Sequence, residues 1–288
     1  MRYLAIEGNR QRLDGGSMYG NAPRAVWETW SPPDDRGRID LACRALLVEL
    51  DDGRRVLLEA GIGVFFEPKL RDRYGVIENE HRLLVNLSSY GIEPESIDSV
   101  ILSHLHFDHA GGLLTPYADG PLELAFPRAA IYVGRRHWER AQAPHPRDRA
   151  SFIPVLHELL TRSGRLRLVD DDVSSWPPGI ARLHWSDGHT PGLMLAELET
   201  PGGPVVFGAD LAPGLPWVHV PITMGYDRFP ERLVEEKARL FSDLAARRGA
   251  LFFTHDPLHA LARVAIADRE RFRGEPVLLD VARGLVDN

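Results

Sequence analysis

The stretch Ser103-His104-Leu105-His106-Phe107-Asp108-His109-Ala110-Gly111-Gly112 decides the fold. It follows the apolar run Ser99-Val100-Ile101-Leu102, which is typical of a buried strand that ends in a loop. Alternate side chains of an extended segment share a face, so His104 and His106 can bind one metal ion. Asp108 and His109 come where the glycine pair lets the chain turn, and they can be directed at a second ion. Imidazole and carboxylate ligands without thiolate favour zinc, iron, manganese or cobalt over a Cys-type structural zinc site.

The alternative is a polar loop whose histidines are satisfied by backbone carbonyls. A single histidine after a strand would favour that interpretation. Three histidines and one aspartate within six residues favour metal binding, because each buried polar group has to be paired to be tolerated.

The pattern His-x-His-x-Asp-His after an apolar strand resembles the signature of the metallo-β-lactamase-fold hydrolases. Three later segments resemble the family's remaining metal motifs in the same order: Ser186 to Gly192, Val205 to Asp210 and Leu251 to Pro257. The segments Gly208 to Pro213, His219 to Pro221, Met224 to Asp227 and Thr254 to Pro257 are most similar to the branch that contains quorum-quenching N-acyl homoserine lactonases and methyl parathion hydrolase. The resemblance implies an α/β protein, a four-layer αβ/βα sandwich formed by one domain over residues 1–288.

Carried over position by position, the resemblance implies two divalent metal ions, most simply zinc, with iron, manganese or cobalt as alternatives. The implied ligands are His104, His106 and His189 for the first ion, Asp108, His109 and His255 for the second, and Asp210 as a bridge between them. In such sites a shared water has its pKa lowered from about 15.7 toward about 7, which makes hydroxide available as a nucleophile.

The resemblance therefore implies a hydrolase that opens a lactone or ester, with N-acyl homoserine lactones as one expected substrate class. Asp108 could also accept a proton from the attacking water. The known lactonases have a tyrosine shortly after the bridging aspartate, whereas here Leu211-Ala212-Pro213 follows. His219 and Tyr226 are the substitute candidates for contacting the oxyanion or donating a proton, and a structural role is the alternative for both.

Other activities of the same fold remain open. A phosphotriester is an alternative substrate, and a thioester is disfavoured because no cationic cluster suits the carboxylates of glutathione. A β-lactamase is disfavoured because enzymes of that type usually lack the bridging aspartate, and flavodiiron relatives need a glutamate where this chain has His106. A mononuclear iron oxygenase of the sulfur dioxygenase type is an alternative, because it uses the same ligand types. A non-catalytic binding protein is disfavoured, because it has no need for a complete hydrolytic site.

Glu59 stands where the family usually has an aspartate that supports the metal ligands, which leaves its role open. It follows the sequence Asp51-Asp52-Gly53, which predicts a tight hairpin between the strands Leu41 to Leu50 and Arg54 to Glu59. The opening Arg2 to Leu13 is expected to be a strand. Phe65 to Tyr90 and Glu231 to Arg248 have helical spacing.

Met18 and the aromatic residues Tyr19, Trp27 and Trp30 cluster before a proline-rich segment. They would form either a wall of a pocket for an apolar substrate group or a loop folded onto the core. His145, His137 and the remaining histidines are expected to be ordinary surface or core residues. Asp187 and Asp256 lie beside ligands and either orient them or cap turns.

The bulk composition indicates an ordinary globular protein of 288 residues, with 44% hydrophobic and 26% charged residues. A net charge of −7 argues against nucleic acid as a partner, which leaves a small-molecule substrate with an apolar group. Cys43 is the single cysteine, which excludes an internal disulfide. No apolar run suits a membrane span or a signal peptide, so we expect a cytoplasmic protein. The sequence does not indicate the oligomeric state.

Overall fold

Two six-stranded β-sheets carry the fold of the computed structural model, which describes residues 1–118, 120–267, 271–280 and 284–286. The chain divides into two units. The first unit comprises residues 1–11 and 42–179, and the second comprises residues 12–41 and 180–288. Each sheet belongs to one unit, and the predicted α/β class is confirmed. The prediction of a single domain over residues 1–288 stays a prediction.

The first sheet has the strand order β1-β4-β5-β6-β7-β8, and neighbouring strands from β5 to β8 are parallel. Its strands are β1 (Arg2–Ile6), β4 (Ala45–Glu49), β5 (Arg55–Leu58), β6 (Ser99–Leu102), β7 (Ala130–Gly134) and β8 (Leu166–Val169). The unit's longer helices are α3 (Pro68–Arg73), α4 (Arg82–Ser89), α6 (Arg135–Gln142) and α7 (Pro154–Ser163). Of these, α4, α6 and α7 pack against strands of the sheet, and their apolar faces close the core.

The second sheet has the order β14-β13-β12-β11-β10-β9, with β11 and β12 parallel and the other neighbours antiparallel. Its strands are β9 (Arg182–Ser186), β10 (Leu193–Thr200), β11 (Gly203–Phe207), β12 (Ala250–Phe252), β13 (Leu261–Ile266) and β14 (Phe272–Pro276). Further described elements are the short helices α1 (Gly15–Tyr19) and α2 (Arg24–Trp27), the strand pair β2 (Gln11–Asp14) and β3 (Arg38–Leu41), and the pair β15 (Leu278–Asp280) and β16 (Gly284–Val286).

Helix α8 (Pro230–Ala246) packs against β13 of the second sheet. It lies within one residue of the predicted start and two residues short of the predicted end. Leu233, Leu240, Phe241 and Leu244 form its buried face, as the helical spacing of the sequence requires. Lys237 lies on the same buried face. None of the described helices is long and apolar enough to span a membrane.

The hairpin predicted at Asp51-Asp52-Gly53 is confirmed, because β4 and β5 are antiparallel neighbours. The backbone N–H of Leu50 donates to the carbonyl of Arg54 at 2.8 Å. Gly53 has a φ of 86°, a left-handed conformation that glycine adopts at low cost. Cys43 is buried, as expected.

Two predicted elements are wrong in their extent. The region Phe65 to Tyr90 forms α3 and α4 instead of one helix, and the break includes Gly75 with a φ of 69°. The opening strand ends at Ile6, before a segment that approaches another part of the chain closely: a Cβ on Gly8 would lie 2.3 Å from the carbonyl oxygen of Cys43. Local periodicity does not report such close approaches of the backbone.

Candidate metal centre

The first set of candidate ligands follows β6, whose four residues are all buried. His104 and His109 are fully buried, and His106 and Asp108 are less than one tenth exposed. The ring centroids of His104 lie 4.4 Å from those of His106 and 4.0 Å from those of His109. Oδ1 of Asp108 lies 3.9 Å from Nε2 of His109. The first unit therefore brings its four predicted ligands together.

The chain turns earlier than the sequence suggested. A single helical turn, α5 (Phe107–Ala110), begins directly after His106, so it is this turn that redirects Asp108 and His109. The glycine pair that follows packs against the end of β5: the N–H of Gly112 donates to the carbonyl of Gly61 at 2.8 Å. A Cβ on Gly112 would lie 2.0 Å from the carbonyl oxygen of Ala60. Glycine is required there for close packing of the loop.

Glu59 supports the first set, which answers the question that the sequence left open. Its Oε1 accepts a hydrogen bond from the backbone N–H of Ser103 at 2.7 Å, and its Oε2 lies 3.2 Å from Nδ1 of His109. The residue is only 1% exposed and has a φ of 69°, a conformation that disfavours side chains other than glycine. The carboxylate contacts compensate for this backbone conformation, since they hold both the start of the loop and one ligand ring.

Two further side chains hold the same loop. The hydroxyl of Ser103 lies 2.9 Å from Nδ1 of His104, and the backbone N–H of Leu105 donates to Nε2 of His137 at 2.8 Å. His137 is fully buried on α6. The expectation that it is an ordinary core or surface histidine is therefore incomplete, because it fixes the backbone between His104 and His106. A lone histidine on a predicted helix offers no signal of this role.

The second set of candidate ligands lies at one edge of the second sheet. His189 follows β9, Asp210 follows β11 and His255 follows β12, and these three strands run in the same direction. Oδ2 of Asp210 lies 3.1 Å from Nε2 of His189, and Oδ1 of Asp210 lies 3.3 Å from Nε2 of His255. Each carboxylate oxygen therefore faces a different imidazole, which is an arrangement suited to a carboxylate that contacts two ions.

Asp227 orients His189. Its Oδ1 lies 2.9 Å from Nδ1 of His189, and its Oδ2 accepts the N–H of Met224 at 2.6 Å. A carboxylate on Nδ1 favours the tautomer with the proton at that atom, which leaves Nε2 to serve as a ligand toward Asp210. The sequence placed Asp227 in a motif but predicted no role for it, because 38 residues separate it from His189.

The aspartates beside the ligands cap turns. Asp256 accepts hydrogen bonds from the N–H groups of Leu215, Leu258 and His259. Oδ1 of Asp187 accepts the N–H of Gly192 at 2.9 Å. Of the two alternatives drawn from the sequence, these contacts favour turn capping.

His219 and Tyr226, the candidates for oxyanion contact or proton donation, are both exposed side chains in the second unit. Partial burial, together with the cations of Lys237 and Arg271, lowers the pKa of His219 below its usual value. The catalytic roles of His219 and Tyr226 stay predictions. His145 is exposed, as expected.

The donor set fits divalent metal ions. Both units contain His and Asp side chains of the kind that hold metal ions, and almost all of them are buried. Burial of so many imidazole and carboxylate groups is unfavourable unless charges are paired or an ion is bound. Nitrogen and carboxylate oxygen donors without sulfur suit zinc, iron, manganese or cobalt.

Each unit has an apolar cavity that is lined either by a candidate ligand or by a residue next to candidate ligands in the chain. In the first unit, a cavity of about 410 Å³ is lined by Phe65, Phe66, Phe107 and Phe152 among others, and Phe107 lies between His106 and Asp108 in the chain. In the second unit, a cavity of about 340 Å³ is lined by residues that include Trp30, Trp217, Leu258 and His255. Each cavity has the size and lining of a site for an apolar group.

The predicted aromatic cluster divides between the two roles considered for it. Tyr19 is fully buried and stacks between Trp27 and Trp217, with ring centroids at 5.7 Å and 4.4 Å. Trp27 is 4% exposed and belongs to the core, whereas Trp30 is 41% exposed and lines the cavity beside His255. The pocket interpretation is therefore wrong for Trp27 and fits Trp30.

Comparisons with known proteins bear on this geometry. Residues 38–277 match the model of the metallo-beta-lactamase superfamily. An N-acyl homoserine lactonase of Bacillus sp is 30% identical over 185 residues, which are 60% of this chain and 64% of that relative. The N-acyl homoserine lactonase AiiA of Bacillus thuringiensis subsp. kurstaki is 28% identical over 197 residues, which are 67% of this chain and 68% of that relative. The chain thus covers less than two thirds of the first of these relatives.

Solved structures share the fold of this chain. A probable metal-dependent hydrolase from Staphylococcus aureus superposes with a TM-score of 0.82 and 25% identity over 95% of this chain and 96% of that one. AidC, a dizinc quorum-quenching lactonase in complex with a product, superposes with a TM-score of 0.71 and 21% identity over 96% of this chain and 91% of that one, and shows the shared fold. The predicted family is confirmed: the chain belongs to the metallo-beta-lactamase superfamily.

Proposed function

We propose that this chain is a dinuclear metal-dependent hydrolase that opens a lactone or ester, with N-acyl homoserine lactones as the leading substrate class. The observation that carries the proposal is the position of Asp210, whose two oxygens face His189 and His255 separately. A carboxylate placed in this way can hold two cations close together, at about 3.5–4 Å in such sites.

The remaining ligand roles are part of the same proposal. The first ion would be held by His104, His106 and His189, the second by Asp108, His109 and His255, and Asp210 would serve both. Support comes from the close grouping of ligands within each unit and from family membership. We propose zinc as the metal, with iron, manganese or cobalt as alternatives, because a donor set of imidazole and carboxylate suits all four.

Bound ions of this kind supply a hydroxide nucleophile at neutral pH and polarise the carbonyl under attack. The protein residues provide the rest. Glu59 and Asp227 hold the imidazoles of His109 and His189 in orientation. Asp108, a buried carboxylate beside His109, is the group we propose to accept the proton of the attacking water. A nucleophilic serine or cysteine is not needed for this chemistry.

The choice of substrate rests on the apolar cavities and on the relatives. Relatives at 28–30% identity are named N-acyl homoserine lactonases, and AidC was solved in complex with the product N-hexnoyl-L-homoserine. Such a substrate combines a small lactone with an apolar acyl chain. The cavity that contains Trp30 offers apolar walls beside the proposed ligand His255, and the cavity that contains Phe107 is lined by the residue that lies between His106 and Asp108 in the chain. Quorum quenching would be the biological consequence.

Proton release by purified, metal-analysed protein tests the proposal. The substrates are N-acyl homoserine lactones of increasing chain length and simple γ- and δ-lactones. We expect turnover of the acylated lactones, and a loss of more than about 100-fold in Asp210→Asn. The exposed turn variant Asp52→Asn is the matched control and should retain parental turnover.

Two results would contradict the proposed lactone hydrolysis. Absence of lactone turnover by protein that carries two ions would reject the substrate class and direct the search to phosphotriesters and other esters. A single redox-active iron per chain would instead favour an oxygenase.

A further inference from the structure

Lys237 is a fully buried lysine on α8. All but two of the 34 lysine and arginine residues of the chain are arginine, so lysine at this buried position is unusual for this protein. Its Nζ donates a hydrogen bond to the carbonyl oxygen of Ile222 at 2.7 Å. A compact ammonium on a flexible stem fits a single buried acceptor, whereas a guanidinium presents five donors in a wide planar group.

Burial of this cation is unfavourable by itself. Desolvation lowers the pKa of Lys237 to about 7, and the carboxylate of Asp227 acts in the opposite direction. Asp227 is itself 1% exposed, so its negative charge compensates the buried ammonium in the same region. Lys237 therefore interacts with both ends of the segment Ile222 to Asp227: its Nζ donates to the carbonyl of Ile222, and its charge is compensated by Asp227.

The segment from Ile222 to Asp227 contacts His189 through the carboxylate of Asp227. Asp227 accepts the N–H of Met224 and contacts Nδ1 of His189. After Asp227, the N–H of Arg228 donates to the carbonyl of His189 at 3.1 Å. A fixed position of Ile222 thus restrains the turn that carries the carboxylate of Asp227.

Glu236, the residue before Lys237, holds the other side of the same region. Its carboxylate accepts hydrogen bonds from the hydroxyl of Ser186 at 2.5 Å and from the N–H groups of Asp187 and Gly188 at 3.0 Å and 3.1 Å. These three residues immediately precede His189. Two adjacent charged residues of α8 therefore secure the loop that carries His189 and the turn that orients it.

We propose that Lys237 is a positioning residue for His189. Lys237 fixes the turn Ile222 to Asp227, so that Asp227 stays on Nδ1 of His189 and Nε2 of His189 faces Asp210. The inference rests on the proposed function in one respect, namely that His189 is a metal ligand. The inference adds a residue that acts on His189 through Ile222 and Asp227.

The test measures metal affinity, separately from turnover. Metal-free full-length protein is titrated with Co²⁺ while its visible absorption is followed, and Zn²⁺ affinity is measured by competition with a chelator. Lys237→Met keeps the length of the side chain and removes the donor and the charge. We expect about 10- to 100-fold weaker binding of one ion and a changed Co²⁺ spectrum, as is typical when a group that orients a ligand is lost.

A double-mutant cycle separates positioning from general stability. If Lys237 acts through Asp227, then Lys237→Met combined with Asp227→Asn should lose no more affinity than Asp227→Asn alone. Leu244→Val on the buried face of α8 is the control, and should lower the thermal stability without a change in Co²⁺ spectrum or affinity. If Lys237→Met does not fold, Lys237→Leu, which also removes the donor and the charge, gives the same readouts.

Parental metal affinity and spectrum in a folded Lys237 variant would overturn the inference, as would additive losses in the double variant. Failure of the proposed function looks different. A parent protein that binds two ions but opens no lactone refutes the substrate while the effect of Lys237 is still measured. A parent protein that binds no ion overturns both proposals.

Discussion

Replacement of Glu59 by glutamine tests the support of the first ligand set most directly. The two side chains have almost the same size, but the amide has one acceptor oxygen where the carboxylate has two. In the parent protein, Oε1 accepts the N–H of Ser103 and Oε2 lies 3.2 Å from Nδ1 of His109. The amide can serve one of these two groups, and its NH₂ then faces the other. In one orientation the N–H of Ser103 loses its acceptor, and in the other the amide NH₂ replaces the carboxylate oxygen that lies 3.2 Å from Nδ1 of His109.

The expected magnitude follows from these contacts. Loss of a buried contact to a charged acceptor costs about 1.5–3 kcal/mol of the free energy of unfolding. Loss of a carboxylate that orients a ligand typically weakens metal binding by about 10- to 100-fold, which corresponds to about 1.4–2.7 kcal/mol. Glu59→Asp keeps the charge but shortens the reach, so we expect a smaller loss of metal affinity than in Glu59→Gln.

Two measurements separate the effects. Urea unfolding of metal-free protein gives the stability, and chelator competition gives the Zn²⁺ affinity. Glu197→Gln is the matched control, because Glu197 is equally buried but contacts Arg247 and His184. This control should lose stability and keep the parental metal affinity. Parental Zn²⁺ affinity in Glu59→Gln, or an equal loss in Glu197→Gln, would refute the assigned role.

Three further predictions concern acid stability, the substrate cavity and the metal. Burial lowers the pKa of His157 to about 4. Between about pH 6.5 and pH 4 the histidine is protonated in the unfolded chain but neutral in the folded one. The free energy of unfolding should therefore fall as the pH drops through this range. His157→Leu should reduce the stability difference between pH 7.5 and pH 5 by about 1–2 kcal/mol in urea unfolding of metal-free protein. Trp30→Ala should raise KM for long-chain substrates more than for short ones, whereas Trp27→Ala should mainly lower Tm, because only Trp30 lines the cavity beside His255. Removal of metal with a chelator should lower Tm and re-addition of Zn²⁺ should restore it, since ions that bind only the folded state stabilise it.

The elements predicted correctly are those that local sequence encodes. The apolar run before His104 predicted β6, the Asp-Gly pair predicted the hairpin of β4 and β5, and helical spacing predicted α8. The predicted ligands also fall into close groups within each unit, because each follows a strand. Helix boundaries between Phe65 and Tyr90 were predicted less well, since the break around Gly75 depends on a local φ angle that periodicity does not report.

The supporting residues were decided by tertiary structure. Glu59 contacts Ser103 across 44 residues of sequence, and Asp227 contacts His189 across 38. His137 reaches the backbone of Leu105 from helix α6. The resemblance marked the positions of Glu59 and Asp227, but no local pattern reports the contacts of these side chains, because their partners become neighbours only after the chain folds. The sequence by itself determined which side chains can bind metal and where strands deliver them, since both depend on residue type and short-range periodicity. Only the tertiary structure decided which side chains contact those ligands and their loops, since that depends on packing between segments distant in the chain.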